Sequence, residues 1–465
     1  MMAVDSLPEP QKEFVPPPAT GSLPGAIALI AGTTVGAGIL ALPAKTLAAG
    51  IAPTGATLIG AWVYMAASGL LIAEVNVNTL CALERNAVSI STMTEETLGT
   101  AGSRVSSLAY VFIHYTLLVA YMLQGGTLLL ELGAQLHVPA LSALSAASET
   151  VGPPIFAGLL GGALLFGAPT LIEKVNSIAV VGVVVSFVGL LGLGAQQVDP
   201  ALLAHVDVPA VVPAIPVMVL SLVFHNVVPT VCYQLGCDLP RIRTAILAGS
   251  AIPTVMFIAW CAVILGSVPF DAADAAAASG TTFDPLALLR SSGNDFGETV
   301  RVFSLLAVTT SFVGFYYGLT DFFADLLGYE KSSSGGGEAS DGEASDGEEA
   351  AADGAASRTL AQKVTLASLT LLPPLGFAVS DPSIFFSALD NAGTYGILTL
   401  FGIIPAAMAW VQRYGGDQSD FDSEQVAPDA LPGGKLTLGA MIVAAALVVG
   451  VETWERVVAS GLIGA

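Results

Sequence analysis

The chain predicts an all-α integral membrane protein: about eleven transmembrane helices in a five-plus-five inverted repeat, with helices 1 and 6 broken. Three observations carry that expectation. Hydrophobic residues make up 54% of the 465 and charged residues only 11%, with a mean hydropathy of +0.75, so almost the whole chain is committed to bilayer and no separate soluble catalytic domain remains. Apolar stretches of about 20 residues, enough to cross a hydrocarbon core of about 30 Å, recur along it. Two of them carry glycine, proline or polar residues at their centres.

Residues 1–22 contain Asp5, Glu9, Glu13 and several prolines without an apolar core, which fits neither a signal peptide nor an Arg-rich transit peptide and reads as a disordered cytoplasmic tail. The first span, 23–43, holds Ala31-Gly-Thr-Thr-Val-Gly-Ala-Gly38. Gly32, Gly36 and Gly38 surround Thr33 and Thr34 at a depth without water to satisfy freed backbone. Such a stretch is either a helix interrupted at a binding site or a GxxxG packing contact between Gly32 and Gly36. Spans at 52–80, 104–134, 153–172 and 176–195 complete repeat one, 23–195.

The sixth span, 211–235, breaks the tie, because Phe224-His-Asn-Val-Val-Pro229 places an imidazole, a carboxamide and a helix-breaking proline within one hydrophobic stretch. Spans at 244–268, 298–328, 359–380 and 384–409 complete repeat two, 211–409. With five crossings per repeat, the second enters the membrane from the opposite face. An extra helix, 434–455, follows, and 23–465 forms one transmembrane transporter domain.

Basic residues set the orientation. An N-terminus inside places Lys12, Arg85, Arg104, Lys174, Arg241, Arg243, Lys331, Arg358, Lys363, Arg413 and Lys435 at the cytoplasmic side, leaving Lys45, Arg290, Arg301 and Arg456 outside. The expectation is a multi-pass protein of the cell membrane. Much of the net charge of −22 sits in the 332–357 loop, where Glu338, Asp341, Glu343, Asp346, Glu348, Glu349 and Asp353 alternate with Gly, Ser and Ala. That composition reads as a disordered cytoplasmic spacer rather than a regulatory segment. The acidity of the other loops suggests a high-salt cytoplasm. Cys81, Cys232, Cys237 and Cys261 lack metal-ligand spacing and read as reduced structural thiols.

The chain resembles the aromatic amino acid permeases, tyrosine- and tryptophan-specific transporters of the amino acid, polyamine and organocation superfamily. The matching stretches are Ala31 to Pro43, Leu70 to Asn76, Ala214 to Val217 with Phe224 to Pro229, Gly249 to Pro253, Ser311 to Gly314 and Leu319 to Phe322. They span most of the membrane region from Leu23 to Met408, leaving out the tail and the acidic loop. The resemblance implies a carrier that imports an aromatic amino acid, tyrosine or tryptophan, by alternating access driven by a cation gradient.

A zwitterionic substrate needs donors for its carboxylate and acceptors for its ammonium, and half-helix ends supply both. Backbone N–H groups around Val35, Gly36 and Gly38 are the expected carboxylate donors; carbonyls near Thr33 and those near Phe224 face the ammonium, and Thr34 is counted with the substrate-binding residues. Tyr121, Phe224, Phe312 and Phe315 are candidates for an aromatic wall or for ordinary core packing. His225, beside Asn226, either bonds the substrate, carries a proton or braces the break. Glu74 is an intramembrane acid expected to be protonated or to bond the unwound backbone of a broken span. Asp321 and Asp325 read as solvated, and Asp390 with Asn391 as pathway-facing gate residues.

The coupling ion is a proton, carried by His225 or Glu74, or sodium, held by Thr310 and Ser311 of the Thr309-Thr-Ser311 run; no other cofactor is expected. The partners expected are membrane lipid and a small amino acid, with no nucleic acid. No metal-spaced cluster, nucleophile elbow or phosphate loop supports an enzyme. The other readings are a sodium-coupled carrier of other neutral amino acids and, further off, a channel or membrane receptor.

Overall fold

A computed structural model describes residues 19–36, 38–83, 88–139, 144, 148–271, 283–329, 358–415 and 427–459. Most of the 1–22 tail and all of the 332–357 loop lie outside these residues. The described residues form helices and connecting turns, with no strand among them. Among the described residues nine helices are long and apolar enough to cross a membrane, and ten if the pair Leu23–Thr34 and Gly38–Thr46, bent by 56°, is one span. The helix Ser148–Phe166 is shorter and stands where the fourth span is expected.

The remaining spans follow in the anticipated order: Ile51–Leu83, Ile90–Gln135, Pro169–Gly194, Pro209–Gln234, Leu239–Leu265, Asp295–Leu326, Leu360–Ser380, Phe385–Tyr414 and Gly434–Ala459. Short polar residues start several of them by accepting first-turn amides that have no partner within the helix: Asp238 from Arg241, Asn294 from Gly297, and Thr359 in a reciprocal capping box with Gln362.

Two boundaries differ from the sequence reading. The fourth and fifth spans part at Gly167-Ala168-Pro169, not at Glu173 and Lys174, because Pro169 opens a helix that carries Lys174 within it as an exposed side chain. The third span is preceded by a helical stretch from Ile90, kinked at Gly99, whose φ of 69° suits glycine.

Burial sorts the spans. The sixth and tenth are the most enclosed, whereas the fifth and eleventh present Val181, Val185, Val188, Leu436 and Leu447 outward as a lipid-facing surface. The tenth span is also the most irregular. Its middle, Ala392–Ile403, is a twelve-residue π-helix, a winding found mostly as single turns and often near functional sites. Gly393 there presses on the Pro216 backbone of the sixth span, and the Phe401 carbonyl accepts a hydrogen bond from Ser68 of the second.

Candidate functional site

Both interruptions are present, and each has a local cause. In the first span the Thr33 and Thr34 hydroxyls donate 2.8 Å bonds to the Leu29 and Ile30 carbonyls, Val35 leaves the helical region at ψ 89°, and Gly38 opens the second half. In the sixth span the helix Ile215–Ser221 ends at Leu222, Phe224 adopts φ −138° and ψ 2°, and a new helix, Val228–Gln234, starts with Pro229 in its first turn. The halves meet across the breaks. A Cβ on Gly38 would lie 2.8 Å from Ser221 Oγ, so the N-terminus of one half-helix sits against the last turn of another. The Trp260 indole of the seventh span braces this region by donating a 3.0 Å bond to the Ile39 carbonyl.

The third and eighth spans close over the first break. A Cβ on Gly36 would stand 3.3 Å from Ser311 Oγ, and the Tyr121 hydroxyl hydrogen-bonds with Ser311. Phe315, one turn beyond Ser311, meets Tyr121 edge-on with ring centroids 5.6 Å apart. Gly36, Tyr121, Ser311 and Phe315 therefore form one neighbourhood joining three spans.

The backbone donors sort differently. The Val35, Gly36 and Ile39 amides are already bonded to the Ala31, Thr34 and Gly36 carbonyls, which leaves the other first-turn amides of the half-helix opening at Gly38 as the donors without helical partners. Thr310 donates to the Leu306 and Ala307 carbonyls of its own helix.

The other expected residues are more dispersed. Phe224 is fully buried and lies over Gly69, where a Cβ would meet its ring at 2.7 Å. His225 is sandwiched between the rings of Phe224 and Phe401, at 4.6 and 4.8 Å, faces the Met65 backbone, and makes no hydrogen bond of good geometry among the described residues. Asn226 is exposed. Phe312 packs edge-on against Phe156 of the fourth span.

Glu74 departs most from expectation. Its carboxylate is held by the Arg413 guanidinium through two bonds of 2.7 and 2.6 Å and accepts the Ala430 amide at 2.7 Å, so its partners are the tenth span and the segment leading to the eleventh, not a broken span. At the far end of the tenth span, Asp390 pairs with Lys45 of the first span at 2.5 Å, and Asn391 accepts a bond from Arg456 of the eleventh.

A model of the tryptophan/tyrosine permease family matches residues 19–339 and 354–452. The chain belongs to that family. This makes it a membrane transport protein, not an enzyme. Among its relatives, the tyrosine-specific transport system 2 of Haemophilus influenzae is 29% identical over 396 residues, covering 84% of this chain and 87% of that protein. The tryptophan-specific transport protein of the same organism is 28% identical, covering 86% and 90%. A low affinity tryptophan permease of Escherichia coli is 26% identical, covering 82% and 85%.

Solved structures share the fold of this permease family member. MhsT in complex with L-phenylalanine superposes with a TM-score of 0.58 at 16% identity, over 92% of this chain and 97% of MhsT. A Na+-coupled sialic acid symporter superposes with a TM-score of 0.52 at 13% identity, over 86% and 81%.

The sequence reading passed over His114. It lies tilted against Tyr110 with centroids 4.0 Å apart and meets Phe315 at 4.9 Å. The available signal was spacing: Tyr110, His114 and Tyr121 fall four and seven residues apart, on one stripe of an otherwise apolar span.

Proposed function

We propose that the chain is a secondary active transporter that imports tyrosine or tryptophan across the cell membrane by cation-coupled symport, with its N-terminus in the cytoplasm. The observation that carries the reading is the meeting of two broken spans at Gly38 and Ser221 beneath Tyr121, Ser311 and Phe315. The names of the tyrosine- and tryptophan-transporting relatives and the phenylalanine in MhsT support an aromatic substrate.

In this reading the substrate carboxylate binds at the half-helix N-terminus that opens at Gly38, and its ammonium faces the Thr33 carbonyl, in the last turn of a half-helix whose end leaves acceptors, and the Phe224 carbonyl, which also accepts the Val227 amide. Phe315 and Tyr121 give the ring an apolar wall with one hydroxyl. Ser311 stands between that wall and Gly36. Lys45 and Asp390 join the first and tenth spans as the outer closure, and their separation accompanies opening to the outside.

Uptake of labelled tyrosine and tryptophan into proteoliposomes under an inward proton or sodium gradient tests the reading. Accumulation that collapses with the gradient is the expected result; uptake that only equilibrates would leave a facilitator or channel.

A further inference from the structure

We propose that His114, with Tyr110 one turn before it, binds the proton that travels with the substrate; this rests on the symport reading above and names its coupling ion. His114 is 8% exposed, and its Nδ1 lies 2.8 Å from the Tyr110 carbonyl. A carbonyl only accepts, so in the neutral imidazole Nδ1 carries the hydrogen and Nε2 keeps a lone pair. That nitrogen and the Tyr110 hydroxyl converge on Gly318 of the eighth span, where a Cβ would lie 3.1 Å from each. The absent side chain leaves the space beside both groups open. A phenolic hydroxyl can donate to Nε2 when the ring is neutral and accept from Nε2–H when it is charged, so the pair accommodates both protonation states.

The pair is also placed to communicate in both directions. Phe315 separates the His114 ring from Tyr121, which bonds Ser311 beside the first break. On the other side Phe322 lies 5.1 Å from Tyr110, and Asp321 and Asp325 act on Tyr110 electrostatically. Ser311, Phe315, Gly318, Phe322 and Asp325 follow one another at three- and four-residue steps, so a single stripe of the eighth span runs from the break to the carboxylates.

The titratable and charged groups around the pair are Tyr110 on its own helix, Asp321 and Asp325 on the eighth, and Arg358, which leads into the ninth and pairs with Asp321 at 3.1 Å. In the cycle a proton arriving from the substrate side forms the Nε2–H bond. On release that bond breaks and the proton passes to a carboxylate of Asp321 or Asp325, or to water beside them.

The test uses the full chain in proteoliposomes, with His114→Gln, neutral at every pH, and Gly318→Ala, which keeps the imidazole but intrudes between it and Tyr110. A gradient of one pH unit sustains about tenfold accumulation per coupled proton, and His114→Gln is expected to lose it while tyrosine exchange at equal pH stays within about threefold of wild type. Gly318→Ala is expected to shift the pH dependence of uptake with exchange retained. Proton-driven accumulation with the wild-type pH profile in His114→Gln overturns the proposal, as does an equal loss of exchange and accumulation in both variants, which marks a packing role. Wild-type accumulation that follows sodium alone also overturns it while leaving symport standing. Absence of any aromatic amino acid uptake by wild type instead refutes the transport reading on which it rests.

Discussion

Gly38, the first residue of the second half of the first span, lies against Ser221, the last residue of the first half of the sixth; even a methyl group on Gly38 would reach within 2.8 Å of Ser221 Oγ and 3.2 Å of its Cα. The two interruptions are thus one structural unit. Ser221 cannot simply rotate away, because its hydroxyl is held by the Val217 carbonyl and its backbone is part of the contact.

Gly38→Ala is therefore expected to reduce tyrosine uptake at least tenfold, about 1.4 kcal/mol, with membrane insertion intact. Gly36→Val is expected to abolish it, since its Cβ begins 3.3 Å from Ser311 Oγ and the branched methyls extend farther. Uptake rates normalised to the amount of protein in the membrane check both. Normal rates in either variant would move the site elsewhere.

A second prediction concerns the ion pair between Glu74 and Arg413. Both side chains are almost fully buried, at 0% and 2% exposure, so removing one partner leaves a buried charge unpaired, at about 3–5 kcal/mol. Arg413→Ala should sharply lower the yield of folded protein in detergent. Combining it with Glu74→Gln should recover much of that yield, because the remaining group is then neutral. A double variant as unstable as Arg413→Ala would show that packing, not charge, governs this corner.

These contacts separate what the sequence displays from what it conceals. The span order and both breaks are legible because hydropathy is a local property and glycine, proline and histidine within an apolar run are conspicuous. The partner of Glu74 is not, since Arg413 lies 339 residues away and reads as an ordinary basic residue at a span end. The turn after the fourth span is marked by Gly167-Ala168-Pro169, but it falls inside the 153–172 span read from the sequence; in the structure Lys174 is exposed on a helix that Pro169 opens. His114 resembles a core residue until Gly318 from another span is placed beside it. The π-helical winding of Ala392–Ile403 has no pattern in its residues that separates it from an α-helix.

Thr310 and Ser311 should behave differently despite adjoining each other. The Thr310 hydroxyl is committed to the Leu306 and Ala307 carbonyls, so Thr310→Ala is expected to leave uptake within about threefold of wild type. Ser311→Ala removes the hydrogen bond to Tyr121 and should raise the tyrosine KM. Loss of a sodium requirement in both variants would instead make them a sodium site.

The orientation has its own test. Cysteines at Ser22, at the start of the first span, and at Ser291, exposed beside the eighth, should react with an impermeant reagent from opposite sides, Ser22 from the cytoplasm and Ser291 from outside. Labelling of both from one side would contradict the crossing pattern.

The central claim is that the joined breaks hold an aromatic amino acid, and competition against labelled tyrosine uptake in proteoliposomes measures it most directly. Tryptophan and phenylalanine in excess should suppress uptake, while alanine and glutamate leave it unchanged, because the proposed wall of Phe315 and Tyr121 suits a ring and the nearby Lys45 is already paired with Asp390. Strong inhibition by alanine or glutamate with none from the aromatic amino acids would contradict the account.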